Sequence, residues 1–317
     1  METGLSHFTD VHLKVQKLRV ATGNRVAHLA KYGKTDTRAV DIHQKTVELE
    51  GTVEGYIAEE FKHHPTYPWV SRIKGCGLEA AAKPIGIIEG VTFSGALFAD
   101  LSVAGIVKTM EEFKENRADL EEAHPEMFRR RSGIYAFENT SQLRRFAGLA
   151  PVDGKAEKVS KGQKGLHYSP ELRMMLWRLL TSLMRARGVW YEKYLENDKY
   201  YTERFERDGI KMTPTPQGRY CLNCVAEKKV SKTTMNCPDC GERLVGKKEP
   251  PGVIFRGHVV NMAKRRTIRL WGDCLFFVWR EALGLPIRSP YIIEYGGHHL
   301  IDPWKLIDKS PEKKAES

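Results

Sequence analysis

Four cysteines constrain this chain more tightly than any other feature. Cys221-Leu222-Asn223-Cys224 and Cys237-Pro238-Asp239-Cys240 form two Cys-x-x-Cys pairs with 12 residues between them. Together they can supply four thiolates to one ion, arranged tetrahedrally at about 2.3 Å. A redox dithiol and a pair of disulfides are the competing readings, and this spacing in a reducing compartment favours zinc. The set leaves no ligand position open and no His-Glu pair stands nearby, so the zinc expected at Cys221, Cys224, Cys237 and Cys240 is structural. It would contribute on the order of 10 kcal/mol to a module of about 30 residues, too small to hold itself. Lys228, Lys229, Lys232, Lys247 and Lys248 make that module a candidate nucleic-acid-binding ribbon, although zinc ribbons also bind proteins. Thr213-Pro214-Thr215-Pro216 and Glu249-Pro250-Pro251-Gly252 read as linkers, so residues 213–252 form a small zinc-ribbon insertion.

The remaining chain has room for a sizeable core; 317 residues fit about two domains. Lysine and arginine total 51 against 40 acids, a net charge of +11. That excess favours a polyanionic partner, nucleic acid ahead of a membrane surface. No 18-residue apolar run occurs, and METGLSHFTD lacks the apolar centre of a signal peptide. The expectation is a soluble cytoplasmic protein, associated with the nucleoid, with no membrane partner.

Residues 1–64 read as a helical arm. Val11, Val15, Leu18, Val26 and Leu29 repeat at helical spacing, Gly33-Lys34-Thr35-Asp36 breaks the pattern, and Ile42, Leu49, Val53 and Tyr56 resume it. Two readings stay open: a helical pair packed on its own domain, or a protruding coiled-coil arm that joins copies into a homo-oligomer. No segment here resembles the apolar, aspartate-ending strand that opens an RNase H-type nuclease. His63-His64-Pro65 reads as a solvated turn with no ligand role.

Residues 65–212 begin with Ile73-Lys74-Gly75-Cys76-Gly77-Leu78, followed by Ala80-Ala81. An apolar residue, a Gly-x-Gly turn and a small-residue helix make a helix-hairpin-helix pattern. Gly75 and Gly77 would there present backbone N–H groups to phosphate oxygens at a helix N-terminus. Cys76 takes the turn position where a small hydrophobe belongs. Arg129-Arg130-Arg131 is a further candidate phosphate contact, while Glu111-Glu112 and Glu121-Glu122 read as exposed helix charges. After Ala150 comes a loop in which Lys155, Lys158, Lys161 and Lys164 fall three apart among Gly154, Gly162 and Gly165. Glycine permits close approach and lysine supplies point charge, so these lysines, Ser160 and the downstream Arg173 are candidate phosphate contacts. A solvated loop is the bland alternative. Ser169-Pro170-Glu171 then starts a helix whose leucines make a core face. Residues 253–285 carry a final helix, basic at its start and aromatic at its end, with the aromatics expected to pack on helix 170–187. Residues 286–317 read as an extended tail.

IKGCGLEAAA, LRRFAGLAP, the loop ending VSKGQKG, ELRMMLWRLL, the Trp190-Tyr191-Glu192-Lys193-Tyr194 segment and Gly257–Glu281 occur in an order that resembles one family. It is the DEDD-type, Piv-invertase-like group of insertion-sequence transposases, and the resemblance is to their C-terminal transposase domain. It covers roughly residues 36–206 and 257–281. The resemblance implies a mainly α fold, with a helical arm, a helix-hairpin-helix transposase-like domain and the inserted ribbon. It implies DNA recombination at a mobile element, with a structured or guide RNA as a further partner. In that family a magnesium-dependent acidic tetrad acts with a serine. Here the acid-bearing nuclease domain has no counterpart, and Asp153 precedes Gly154 where the serine is expected. Ser160 resembles a neighbouring position instead. The expectation is therefore a DNA-binding, transposase-related protein without autonomous catalysis, working with a separate nuclease subunit. A non-catalytic nucleic-acid-binding derivative of a transposase is the alternative.

Overall fold

The computed structural model describes residues 4–152, 155–156, 168–215, 218–221, 223–224, 226–231, 234–244, 249, 251–287 and 301–308. They form a mainly helical protein with two compact units: residues 1–189 with 271–317, and residues 190–270.

The first unit opens with α1 (Gly4–Lys31) and α2 (Thr37–Lys62). The Asp36 side chain caps α2 by accepting from the N–H groups of Arg38 and Ala39. The seam between the helices follows helical spacing. Leu5, Thr9, His12 and Val15 of α1 are buried, as are Thr46, Glu50, Val53, Ile57 and Phe61 of α2. Phe8 meets Tyr56 near one end of the pair and Thr22 reaches His43 near the other, so the two run antiparallel.

α3 (Tyr67–Val70) is a single turn, and α4 (Leu78–Glu89) follows the Gly-x-Gly segment. α4 packs on α1, α2 and α10, the last introduced below. Next come α5 (Ser94–Val103), α6 (Met110–Glu115), α7 (Arg117–Ala123) and α8 (Pro125–Arg130), then a 3-10 turn at Gly133–Ala136. These short helices enclose a core of their own: Leu97, Leu101, Val107, Phe113 and Phe128. Glu111, Glu121 and Glu122 stay on exposed faces, and Glu112 accepts from the Lys108 N–H at 2.8 Å. α9 (Thr140–Phe146) leads into β1 (Pro151–Val152), paired antiparallel with β2 (Lys155–Ala156). α10 (Pro170–Ala186) starts on its expected cap, with Ser169 Oγ accepting from the Leu172 N–H.

The second unit holds α11 (Val189–Arg207) from Trp190 onward, β3 (Lys211–Thr213), β4 (Arg219–Cys221), β5 (Ala226–Lys228), β6 (Val253–Phe255) and the start of α12 (Arg256–Ala282). β3 pairs with β6 in parallel, so the chain segments just outside the two linkers are joined where they enter and leave the cysteine module. From Trp271 onward α12 belongs to the first unit, where its aromatic end is core.

Residues 301–308, read as part of an extended tail, instead dock on the first unit: Trp69 Nε1 donates to the Pro303 carbonyl at 2.9 Å, and Leu306 is buried. Two further expectations need correction. His64 is buried, not solvated: its ring lies 4.6 Å from the Trp279 ring, and Nδ1 accepts from the Thr66 N–H. Burial pushes its pKa down to about 4, the lost hydration of the charged ring outweighing the Glu89 carboxylate 3.8 Å from Nε2. The aromatic face of α12 finds its ring partners outside helix 170–187, in Trp69 (5.9 Å from Trp271) and His64. The leucine face of α10 packs on α4 instead. Periodicity identified these apolar faces but not their partners.

Candidate metal centre and nucleic-acid interface

The β4–β5 hairpin carries Cys221 and Cys224, and the turn after Asn236 carries Cys237 and Cys240. Gly241, at a φ of +71°, closes the second turn by donating its N–H to the Cys237 carbonyl. The four sulfurs lie within 4.8 Å of one another, and all four cysteines are free thiols. Cys221 Sγ is 3.5 Å from Cys240 Sγ, and Cys224 Sγ is 3.8 Å from Cys237 Sγ. A tetrahedron of sulfurs around an ion at 2.3 Å has edges of about 3.8 Å, so the set fits a four-thiolate metal site. The Cys224 N–H also points at Cys221 Sγ (3.4 Å), a contact that steadies a thiolate. The Cys240 thiol is pushed down to about 6, chiefly by the Glu242 backbone N–H, while its neighbours push Cys224 up to about 12. Four adjacent thiolates repel one another, and a divalent cation removes that repulsion. Cys221, Cys237 and Leu244 form the module's small core.

In the same unit α11 and the start of α12 build a basic and aromatic face. The Arg266 guanidinium lies 4.3 Å from the centre of the exposed Tyr200 ring and 6.0 Å from Tyr201. Arg256 forks onto Asp198, Nη1 to Oδ1 at 2.7 Å, and Asn197 donates to Thr267 Oγ1 at 3.0 Å, locking the two helices together. Arg256 is thereby neutralised, while Arg266 sits on rings and keeps its charge. The sequence had marked the basic start of this helix; the tyrosine pair at 200–201 carries the same signal and was missed.

In the first unit the expected phosphate contacts fare unevenly. Gly75 adopts a φ of +88°, and a Cβ there would stand 2.9 Å from the Leu183 Cα and the Ser182 carbonyl. Its lack of a side chain thus serves packing on α10. Gly77 is exposed and caps α4. The Lys74 N–H in this turn already donates to a carboxylate, Asp308 Oδ2 at 2.7 Å, and the other oxygen of Asp308 accepts from the Val189 N–H. Arg173 lies over the Tyr168 ring at 5.1 Å, and that ring fills the space beside Gly148, whose φ is +64°. Arg131, offered as a phosphate contact, is instead clamped by Asp100 at 2.6 and 3.0 Å. Cys76 is buried, as its apolar role requires. Lys155 lies in β2, described as backbone only; Asp153, Gly154, Lys158, Ser160, Lys161 and Lys164 lie outside the described residues.

Among the described residues one further group has metal-ligand chemistry: His12, Glu50 and Glu54. Its carboxylates already hold cations of the chain. Lys83 Nζ is 2.6 Å from Glu54 Oε1, and Arg19 Nε contacts Glu50. His12 is wholly buried, and its pKa is lowered, mainly by burial and then by Lys83. Two acids balanced by two cations make this a neutral seam between helices. No helix among the described residues is long and apolar enough to cross a membrane. Comparison with protein-family models, with curated proteins and with solved structures found no match.

Proposed function

We propose that the chain is a DNA-binding, transposase-related protein of a mobile element, acting in transposition through binding. The observation that carries the nucleic-acid part is Arg266 held against Tyr200 and Tyr201. A guanidinium on exposed rings offers charge to a phosphate and flat surfaces to bases. The cysteine set would hold zinc as a structural ion and fix the module on the same unit. The transposition part rests on the family resemblance and the net charge; a structured or guide RNA is a second candidate ligand for the same face. The Gly-x-Gly turn followed by α4 supports a helix-hairpin-helix role, with Asp308 standing where a phosphate would. The N-terminal helices support self-association, since Leu18, Ile42, Leu49 and Tyr56 are about half exposed.

The pairing of Glu50 and Glu54 with Arg19 and Lys83 leaves no free acidic cluster there, which favours the second reading, a non-catalytic nucleic-acid-binding protein derived from a transposase.

Titrating DNA at several salt concentrations tests the binding. The log–log slope should be about −0.9 per phosphate neutralised, and Arg266→Ala should reduce it by about one contact. A flat salt dependence would remove the nucleic-acid reading. Metal-dependent strand transfer, or a covalent DNA adduct lost in Ser160→Ala, would overturn the non-catalytic part.

A further inference from the structure

In the first unit α8, the 3-10 turn after it and the end of α12 enclose an open cavity of about 610 Å³, a size suited to a small organic ligand. Three arginines line it, Arg129, Arg130 and Arg280, against one acidic residue, Glu126. Glu126 reaches only Arg129, at 3.9 Å.

Arg280 is the informative one. It is 7 % exposed, yet among the described residues no carboxylate lies in contact with it, and Glu138 acts on it only from a distance. Its partners are neutral carbonyls: Nε donates to Pro286, and Nη1 donates to Phe137 at 2.8 Å and to Ile134. Carbonyls, and the Phe276 ring 5.3 Å from the guanidinium, hold the group without neutralising it, and a buried charge with no counter-ion in contact is costly. A purely structural cross-link would account for Nε and Nη1. Among the described residues it gives Nη2 no hydrogen bond, and it does not explain why two more arginines line the same cavity. Arg130 is exposed, and the Asp100 carboxylate, held by Arg131, feels it only weakly. Arg129 is held in place by Tyr135, with its guanidinium 4.7 Å from the ring centre and Nη2 donating to the hydroxyl at 2.7 Å. Met127 and Leu285 supply apolar wall.

We propose that this cavity binds a phosphate monoester on a small organic group, as in a nucleotide, with Arg130 and Arg280 gripping the phosphate. Arg129 completes the charge, and Tyr135, Met127 and Leu285 receive the organic part. A dianionic phosphate offsets the excess of about two positive charges, and its oxygens match the guanidinium fork. The inference does not rest on the nucleic-acid reading. A free nucleotide and the 5′ end of a strand carry the same group.

Calorimetric titration of the full chain with thymidine 5′-monophosphate, inorganic phosphate and thymidine tests it. The nucleotide should bind, phosphate more weakly, and thymidine not at all. Arg130→Glu, at an exposed position, should weaken nucleotide binding about tenfold or more. Arg280→Lys keeps the charge while losing the fork, and should weaken it to a lesser degree, with a lower melting temperature from the lost carbonyl hydrogen bonds. No saturable nucleotide binding, or wild-type affinity in Arg130→Glu, would overturn the proposal. Oligonucleotides with and without a 5′-phosphate separate the sources. A preference lost in Arg130→Glu assigns the cavity to strand ends, and its absence beside nucleotide binding assigns it to free nucleotides. Salt-dependent oligonucleotide binding that survives Arg130→Glu while nucleotide binding was never present would sink this site and leave the Arg266 face standing.

Discussion

The cysteine module and the helical unit are held by different forces. Around Cys221 the buried side chains are few, Cys221, Cys237 and Leu244, and two of the three are candidate ligands. In the helical unit Trp69, Trp271, Phe61, Phe113, Phe137 and Phe276 are all essentially inaccessible to solvent. Apolar burial scales with area, so the second region can stand on its core alone, whereas the first would gain most of its hold from an ion on the four cysteines. A small module can therefore be written into sequence by four residues, whereas the helical unit needs a distributed pattern.

The largest effect should come from metal removal. Chelation, or Cys237→Ser, should unfold residues around 219–244 at a cost on the order of 10 kcal/mol of binding energy, leaving the helices intact. Hydrogen exchange by mass spectrometry would see protection vanish there alone; retained protection would refute the metal assignment. Next, Trp69→Ala should destabilise the helical unit by about 3–5 kcal/mol in denaturant titration while leaving metal content unchanged. Loss of metal in that variant would show that the two regions do not stand separately.

Acid should act on the helical unit through His64. Its folded pKa, about 4, lies below the ordinary value of 6.5, so the unfolded state takes up a proton first. Stability is therefore full above pH 6.5 and falls as pH drops toward 4, by about 3 kcal/mol. His12, also depressed, acts in the same direction. His64→Phe should flatten the decline, and an unchanged pH profile would refute the burial argument. The smallest effect belongs to Asp308→Asn, which weakens the acceptor for two backbone N–H groups and should cost about 1 kcal/mol in thermal unfolding. If that variant also binds DNA more tightly, Asp308 is a competitor for the phosphate position.

How far the chain was legible depended on the range of the signal. Asp36 and Ser169 cap their helices as their positions in sequence suggest, because capping acts within three residues. The fate of Arg131 was not legible, since Asp100 lies 31 positions away and only folding brings it near. Arg129, Arg130 and Arg131 are identical in sequence terms. The structure divides them into a stacked group, an exposed group and a neutralised one. Arg280 carried no signal at all, being one basic residue at the end of an aromatic helix.

The four cysteines, the helical periodicities and the positive charge follow from the sequence alone, because ligand spacing and amphipathic repeat are local properties of the chain. Tertiary structure decided the rest: that the segments flanking the linkers pair as β3 and β6, that Gly75 serves packing, that His64 is buried and that Arg280 has no carboxylate in contact. Each depends on residues brought together over long separations, and burial or charge balance exists only once those neighbours have met.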